Sequence, residues 1–157
     1  MRQMTVCFLV KNTPERQVLL GFKKAGFGAG KYAGIGGKVE PGETVEAAAI
    51  REVEEEIGVK ILVENLRFMG TVTFQFPSKP EWSQEVSIYV VENWLGEPGE
   101  SNEMRPAWFE LDEIPYGCMW QDARLWIPHV MDGDKIHLNI SFAGDNETVV
   151  DVSVVLE

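Results

Sequence analysis

Apolar positions fall in short blocks along most of the chain, and their spacing assigns the elements. Met4 to Val10 and Gln17 to Lys23 are rich in Val, Leu and Phe, with Asn12-Thr13-Pro14-Glu15 between them, which predicts two strands joined by a turn. Gly26 to Gly37 holds six glycines in twelve residues, too many for a regular element, so a loop is expected there. A short strand is expected around Ala33 to Ile35, and Pro41-Gly42 supplies a turn. From about Thr44 to Ile57 the period lengthens to that of a helix, with Ala49, Ile50, Val53 and Ile57 forming one apolar stripe. Leu66 to Phe76 and Glu85 to Trp94 read as strands on either side of the proline-containing segment Pro77 to Trp82. Met104 to Leu111 reads as another short strand. Trp120 to Met131 has helical spacing, with Pro128 expected to bend or shift it. Lys135 to Phe142 and Thr148 to Leu156 alternate around Gly144-Asp145-Asn146, as a terminal hairpin does. Mixed strands with two main helices predict one α/β domain over residues 1–157.

The predicted first helix contains an anomaly. Glu52, Glu54, Glu55 and Glu56 crowd its last turns before Gly58, where backbone carbonyls already carry partial negative charge and cations are favoured. Glu52 and Glu56 are i,i+4 neighbours and Glu52 and Glu55 are i,i+3 neighbours, so mutual repulsion adds to the dipole penalty. Arg51 can pair with Glu55 and hold one carboxylate in place. A solvated acidic face is the ordinary reading of such a run, but these acids adjoin the apolar stripe, which places them beside a cleft. Hard oxygen ligands in this number suit Mg²⁺ or Mn²⁺, which take a few carboxylates together with substrate phosphates. Metal ions there would screen a pyrophosphate and activate a water, with a nearby glutamate as general base.

Composition narrows the choice of partner. Fourteen basic against 25 acidic residues give a formal charge of −11, which argues against a duplex nucleic acid and leaves a small polyanion held through metal ions and local lysines. Cys7 and Cys118 are too few for a disulfide framework, so a reducing cytoplasm is the default compartment. No apolar run reaches membrane-spanning length; Met4 to Val10 stops at Lys11 without a cleavage pattern. A monomer is the expected state. The glycine loop matches neither phosphate-binding fingerprint, since Lys31 is followed by Tyr32 and no G-x-G-x-x-G occurs.

Gly37, five residues, Glu43, seven residues, and then Arg51-Glu52-Val53-x-Glu55-Glu56-x-Gly58-Val59 resembles the Nudix box at nine restricted positions over 23 residues. The resemblance implies an α/β/α sandwich around a mixed sheet, and hydrolysis of a nucleoside diphosphate linked to another group. Leu19-Leu20-Gly21-x-Lys23-Lys24, Gly26-Phe27-Gly28-Ala29-Gly30, Asn102-Glu103-Met104-Arg105-Pro106 and Met119-Trp120-x-Asp122 extend it to the MutT-like branch that clears oxidised purine nucleoside triphosphates. In that family Glu52, Glu55, Glu56, Glu103 and the carbonyl of Gly36 match metal ligands. Arg51 matches the residue that orients the glutamates, and Glu56 or Glu52 the base. Lys23, Gly37 and Lys38 lie where relatives handle nucleotide and phosphates; Thr5, Phe27, Ile35, Trp120 and Asp122 fall at base-pocket positions. Two positions depart from that branch: Ala33 replaces an asparagine that reads the purine, and Ala123 replaces a second acid beside Asp122. Polar readers supply the large discriminations between bases, so the resemblance carries the reaction further than it carries the base. Two other readings stay open, a Nudix hydrolase of a dinucleoside polyphosphate or nucleotide sugar, and a binding module without catalysis. Trp82, Trp94, Trp108 and Trp126 are read as packing residues, and His129 and His137 as structural or surface residues.

Overall fold

The computed structural model describes residues 1–155. Eight strands form one mixed sheet: β1 (Arg2–Lys11), β2 (Gln17–Lys23), β3 (Tyr32–Ala33), β4 (Arg67–Gln75), β5 (Gln84–Val91), β6 (Met104–Glu110), β7 (Ile136–Phe142) and β8 (Val149–Val154). Their order is β3-β2-β1-β5-β4-β7-β8, with β6 also paired to β2. β1 with β5 and β4 with β7 run parallel; the other pairs are antiparallel.

The strand β1 explains the layering. Cys7 to Val10 are all fully buried, so this strand is covered on both faces, and successive side chains go to opposite sides. Phe8 and Val10 join a core with Trp126, Ile127 and Val130 of α2 (Ala123–Met131). Cys7 and Leu9 join the other core, with Ala49, Val53 and Ile57 of α1 (Val45–Ile57). One helix therefore lies over each face, as the expected α/β/α sandwich requires.

The helix α1 has the boundaries its sequence dictates. Thr44 Oγ1 accepts from the backbone N–H of Ala47 at 3.1 Å, and Gly58 closes the helix at φ 72° with its N–H donating to the carbonyl of Glu54. Elsewhere the elements are shorter than the apolar pattern suggests. The strand expected to reach Trp94 ends at Val91, before the polar Glu92-Asn93. The second helix starts at Ala123 because Trp120 to Asp122 form a turn whose Trp120 carbonyl accepts from the Ala123 N–H. Pro128 lies inside that helix. The terminal hairpin is present as β7 and β8; Leu156, assigned to its second strand, lies outside the described residues. Among the described residues no helix is long and apolar enough to cross a membrane.

Gly70 marks the irregularity that lets β4 serve two neighbours. The register with β5 shifts between Phe68 and Gly70, where φ is +113°, and a Cβ there would lie 1.7 Å from the carbonyl oxygen of Ile136 on β7. Gly70→Ala is expected to lose about 1–3 kcal/mol from backbone strain alone, with more from the clash, read as a lowered urea midpoint.

Candidate active site

Gly36 and Gly37 bring backbone against β1 and α1 where larger residues could not pass. A Cβ on Gly36 would sit 1.9 Å from the carbonyl oxygen of Thr5, and one on Gly37 would sit 2.3 Å from the carboxyl carbon of Glu52. The glutamate side chain thus packs directly on the glycine backbone. Thr5 holds the same segment, its N–H donating to the Gly37 carbonyl at 2.8 Å.

Arg51 organises the acids. Its Nε and Nη2 donate to the two oxygens of Glu43 at 2.8 and 2.9 Å, a bidentate pair. Nη1 reaches Glu52 at 2.8 Å and Glu55 at 3.2 Å, and Nη2 also donates to the carbonyl of Lys38 at 2.9 Å. The expected Arg51–Glu55 pair is one of five hydrogen bonds, shared among four partner residues. This guanidinium holds the Glu43 carboxyl down at about 2, chiefly through the hydrogen bonds themselves. Much of the charge crowding read from the sequence is therefore answered within the chain.

Glu56 is the exception. It is 5% exposed, and its Oε2 is buried with no hydrogen-bond partner. Burial pushes its carboxyl up to about 7; Lys23 opposes that shift, while Glu52, Glu103 and Glu55 add to it. The same electrostatic neighbourhood thus contains Lys23 at the end of β2, Glu103 just before β6, and the helix acids. The pairing of Lys23 with Met104 across β2 and β6 is what delivers Glu103 to α1. An orphaned, buried carboxylate oxygen among three further acids is the environment a divalent cation fits. A separate acidic group, Glu110, Asp112 and Glu113, has ligand atoms within 4.8 Å of one another at the end of β6, and contains none of the helix acids.

A pocket of about 190 Å³ runs from Lys23, Gly36 and Gly37, which border the acids, to an aromatic end; Glu52, Glu55, Glu56 and Glu103 do not line it. Of the residues singled out in the sequence, Thr5, Lys23, Phe27, Gly36, Gly37, Trp120 and Asp122 line it together. Phe27 stacks on Trp120 with centroids 5.3 Å apart and planes at 20°, and packs edge-on against Trp82 and Phe76. Asp122 is 4% exposed and accepts from Trp126 Nε1 at 2.7 Å; burial raises its carboxyl to about 6. Ala33 and Ala123 both face the same pocket. Ile35 does not line it: it is fully buried in the core beneath α1, between two glycines that do. Lys38 is exposed, and its carbonyl serves Arg51.

The pocket also contains residues that motif spacing passes over. Gln84, Phe74, Phe76 and Phe142 line it, as does Trp126, which the sequence assigns only to packing. Gln84 had a readable signal. It is a polar residue in register with the inward-facing Val86, Ile88 and Val90, and strict alternation along β5 points it into the core. Trp94 and Trp108 do pack, stacked at 5.9 Å on the α1 side.

The site thus lies on a mixed sheet between two helices, with Glu52 of α1 packed against the Gly37 backbone. Residues 1–130 match the NUDIX domain family, and the chain belongs to the Nudix hydrolase family. It is 45% identical over 133 residues to the oxidized purine nucleoside triphosphate hydrolase of Danio rerio, a match that covers 85% of this chain and 83% of that protein. The mouse (Mus musculus) protein of the same name is 43% identical over 141 residues, covering 90% and 87%. The fold superposes on the crystal structure of the mutator MutT protein from Bacillus halodurans with a TM-score of 0.83 at 22% identity, over 98% of this chain and 97% of that one.

Two outcomes test the site. Arg51→Lys is expected to lose most activity despite keeping the charge, since an ammonium cannot reproduce the fork between Glu43, Glu52 and the Lys38 carbonyl. The second concerns pH. The folded-state value of Glu56 lies above its ordinary 4.5, so the stability linked to its proton is present below 4.5 and is lost as pH rises through about 7. In metal-free buffer the melting temperature of the wild type is expected to fall over that window relative to Glu56→Gln, and added Mg²⁺ is expected to narrow the gap.

Proposed function

We propose that this chain is a divalent-metal-dependent pyrophosphohydrolase of purine nucleoside triphosphates, acting on oxidised or otherwise modified bases in the nucleotide pool. It would be a single Nudix domain over residues 1–157, working in the cytoplasm without nucleic-acid or membrane partners. The observation that carries the reading is that the pocket adjoins the acids: Lys23, which faces Glu56, and Gly37, which packs on Glu52, line one end of it, and Trp120 with Asp122 the other.

The chemistry divides between the ends. Glu52, Glu55, Glu56, Glu103 and the Gly36 carbonyl would hold Mg²⁺ or Mn²⁺, which when bound supplies charge for the phosphates and acidifies a water. Lys23 lies beside Glu56 and adds positive charge where phosphate oxygens would rest. Glu56 or Glu52 would take the proton of the attacking water, and Arg51 fixes the direction of Glu52. Attack at phosphorus releases a nucleoside monophosphate and pyrophosphate. At the other end Trp120 and Phe27 offer aromatic faces to the purine, and Asp122, Thr5 and Gln84 offer polar atoms for its edge. Gln84 donates from Nε2 to the Trp82 carbonyl at 3.1 Å, which orients its amide.

A second reading has one observation in its favour. Across Trp120 lies a polar cavity of about 320 Å³ lined by Lys31, Tyr116, Gln121, Arg124 and Thr148. It could receive a second nucleoside of a dinucleoside polyphosphate. A panel of canonical, oxidised and methylated triphosphates with dinucleoside polyphosphates, scored for pyrophosphate and phosphate release, separates the two. The proposal expects the highest kcat/KM with a modified purine triphosphate; preference for the dinucleotides would overturn it.

Glu56→Gln is expected to lower kcat by roughly 10²–10⁴, the range for loss of a general base. Near-normal turnover of the purified variant would remove Glu56 from that role. Ala33→Asn is expected to change the ratio of kcat/KM between oxidised and normal purines more than it changes the melting temperature.

A further inference from the structure

The outer edge of the sheet carries a surface that hydrolysis does not use. β8 ends the strand order, and among the described residues no strand pairs with its outer side. Val150, Val152 and Val154 are 61%, 43% and 69% exposed, and Val155 is 42% exposed. Val152 and Val154 stand opposite Ile140 and Leu138 of β7, so the valines continue an apolar row out of the core to the rim. Edge strands are ordinarily blunted by charges, prolines or bulges facing the open side. β8 has one charge, Asp151, and an irregularity at Val150, and from Val152 to Val155 there is no charge or proline.

The backbone polarity of this edge is fixed. Val155 donates its N–H to the His137 carbonyl at 2.7 Å, so Val155 and, by alternation, Ser153 and Asp151 turn their backbone groups inward to β7. Val152 and Val154 turn theirs outward. The residues from Val149 to Val155 read Val-Val-Asp-Val-Ser-Val-Val, nearly the same in both directions about Val152.

We propose that β8 pairs antiparallel with β8 of a second copy of this chain, across a two-fold axis at Val152. In that register Val152 meets Val152 of the second copy in a hydrogen-bonded pair, and Val150 meets Val154. On the opposite face Asp151 meets the hydroxyl of Ser153, a donor for its carboxylate, twice by symmetry. Moving the axis to Asp151 would set two carboxylates face to face, and moving it to Ser153 would set each Asp151 against a valine. Only the axis at Val152 satisfies the charge, and it uses the outward-facing backbone groups. The sheet then continues through both copies, and each copy's open β8 edge is closed by the other. The monomer expected from the sequence is the outcome that would overturn this pairing. The assembly is independent of the substrate assigned above, because β8 lines neither cavity.

Sedimentation velocity on the full chain, from micromolar to submillimolar concentration in physiological salt, tests it. The expected result is a concentration-dependent shift to twice the 17.7 kDa chain mass. Ser153→Asp sets carboxylates against each other at both ends of the pair and is expected to raise the dimer dissociation constant about tenfold. Ser153→Lys is expected to hold or tighten the dimer, and Val152→Lys to abolish it. All three variants should keep wild-type hydrolysis and far-UV circular dichroism. A 17.7 kDa species throughout, a dimer indifferent to Ser153→Asp, or open-ended assemblies would each overturn the proposal.

Discussion

The site depends on one guanidinium. Arg51 ties the turn before α1, through Glu43, to the helix acids and to the Lys38 carbonyl of the segment after Gly36 and Gly37. Each contact alone is an ordinary partly exposed ion pair, of little consequence for stability. Together they fix three chain segments around a planar fork that has no rotational slack. The acids at the helix C-terminus, unfavourable by themselves, become tolerable because Arg51 engages Glu52 and Glu55. Glu56 turns inward, away from that fork, and is buried with one carboxylate oxygen left without a hydrogen-bond partner.

This division also explains why reaction and base preference are separable. The end beside the acids is built from Gly36, Gly37 and the β2–β6 pair, whereas the aromatic end is built from Phe27, Trp120 and the start of α2. Substitutions at Ala33 and Ala123 alter the walls of the second without touching a side chain of the first. With apolar walls at those two positions, the purine recognition proposed for this pocket rests on Asp122, Thr5 and Gln84.

Much of this was legible in the sequence. Strand and helix placement followed from periodicity, because β1 and α1 combine regular apolar spacing with unambiguous caps. The acidic helix announced itself by opposing its own dipole. What spacing could not carry was distance across the sheet. Glu103 reaches α1 only through the β2–β6 register, and Phe74, Phe76 and Phe142 come together only because β4 and β7 run side by side. Ile35 shows the opposite failure. A position next to two pocket-lining glycines is assigned to the pocket by proximity along the chain, yet its side chain alternates to the other face.

The aromatic end of the pocket shares its inner wall with the core. Trp126, Ile127, Met119 and Phe142, which line it, are also members of the core between α2 and the sheet. A base entering that space adds to the packing of the protein's interior and is held by the same residues that hold the fold. Binding and folding thus draw on one set of contacts, and occupancy should register as resistance to heat as directly as it does in turnover. The converse follows for the evolution of this chain. A change that widens the pocket for a new base loosens the core by the same atoms, so a shift in preference is constrained by stability before it is constrained by chemistry.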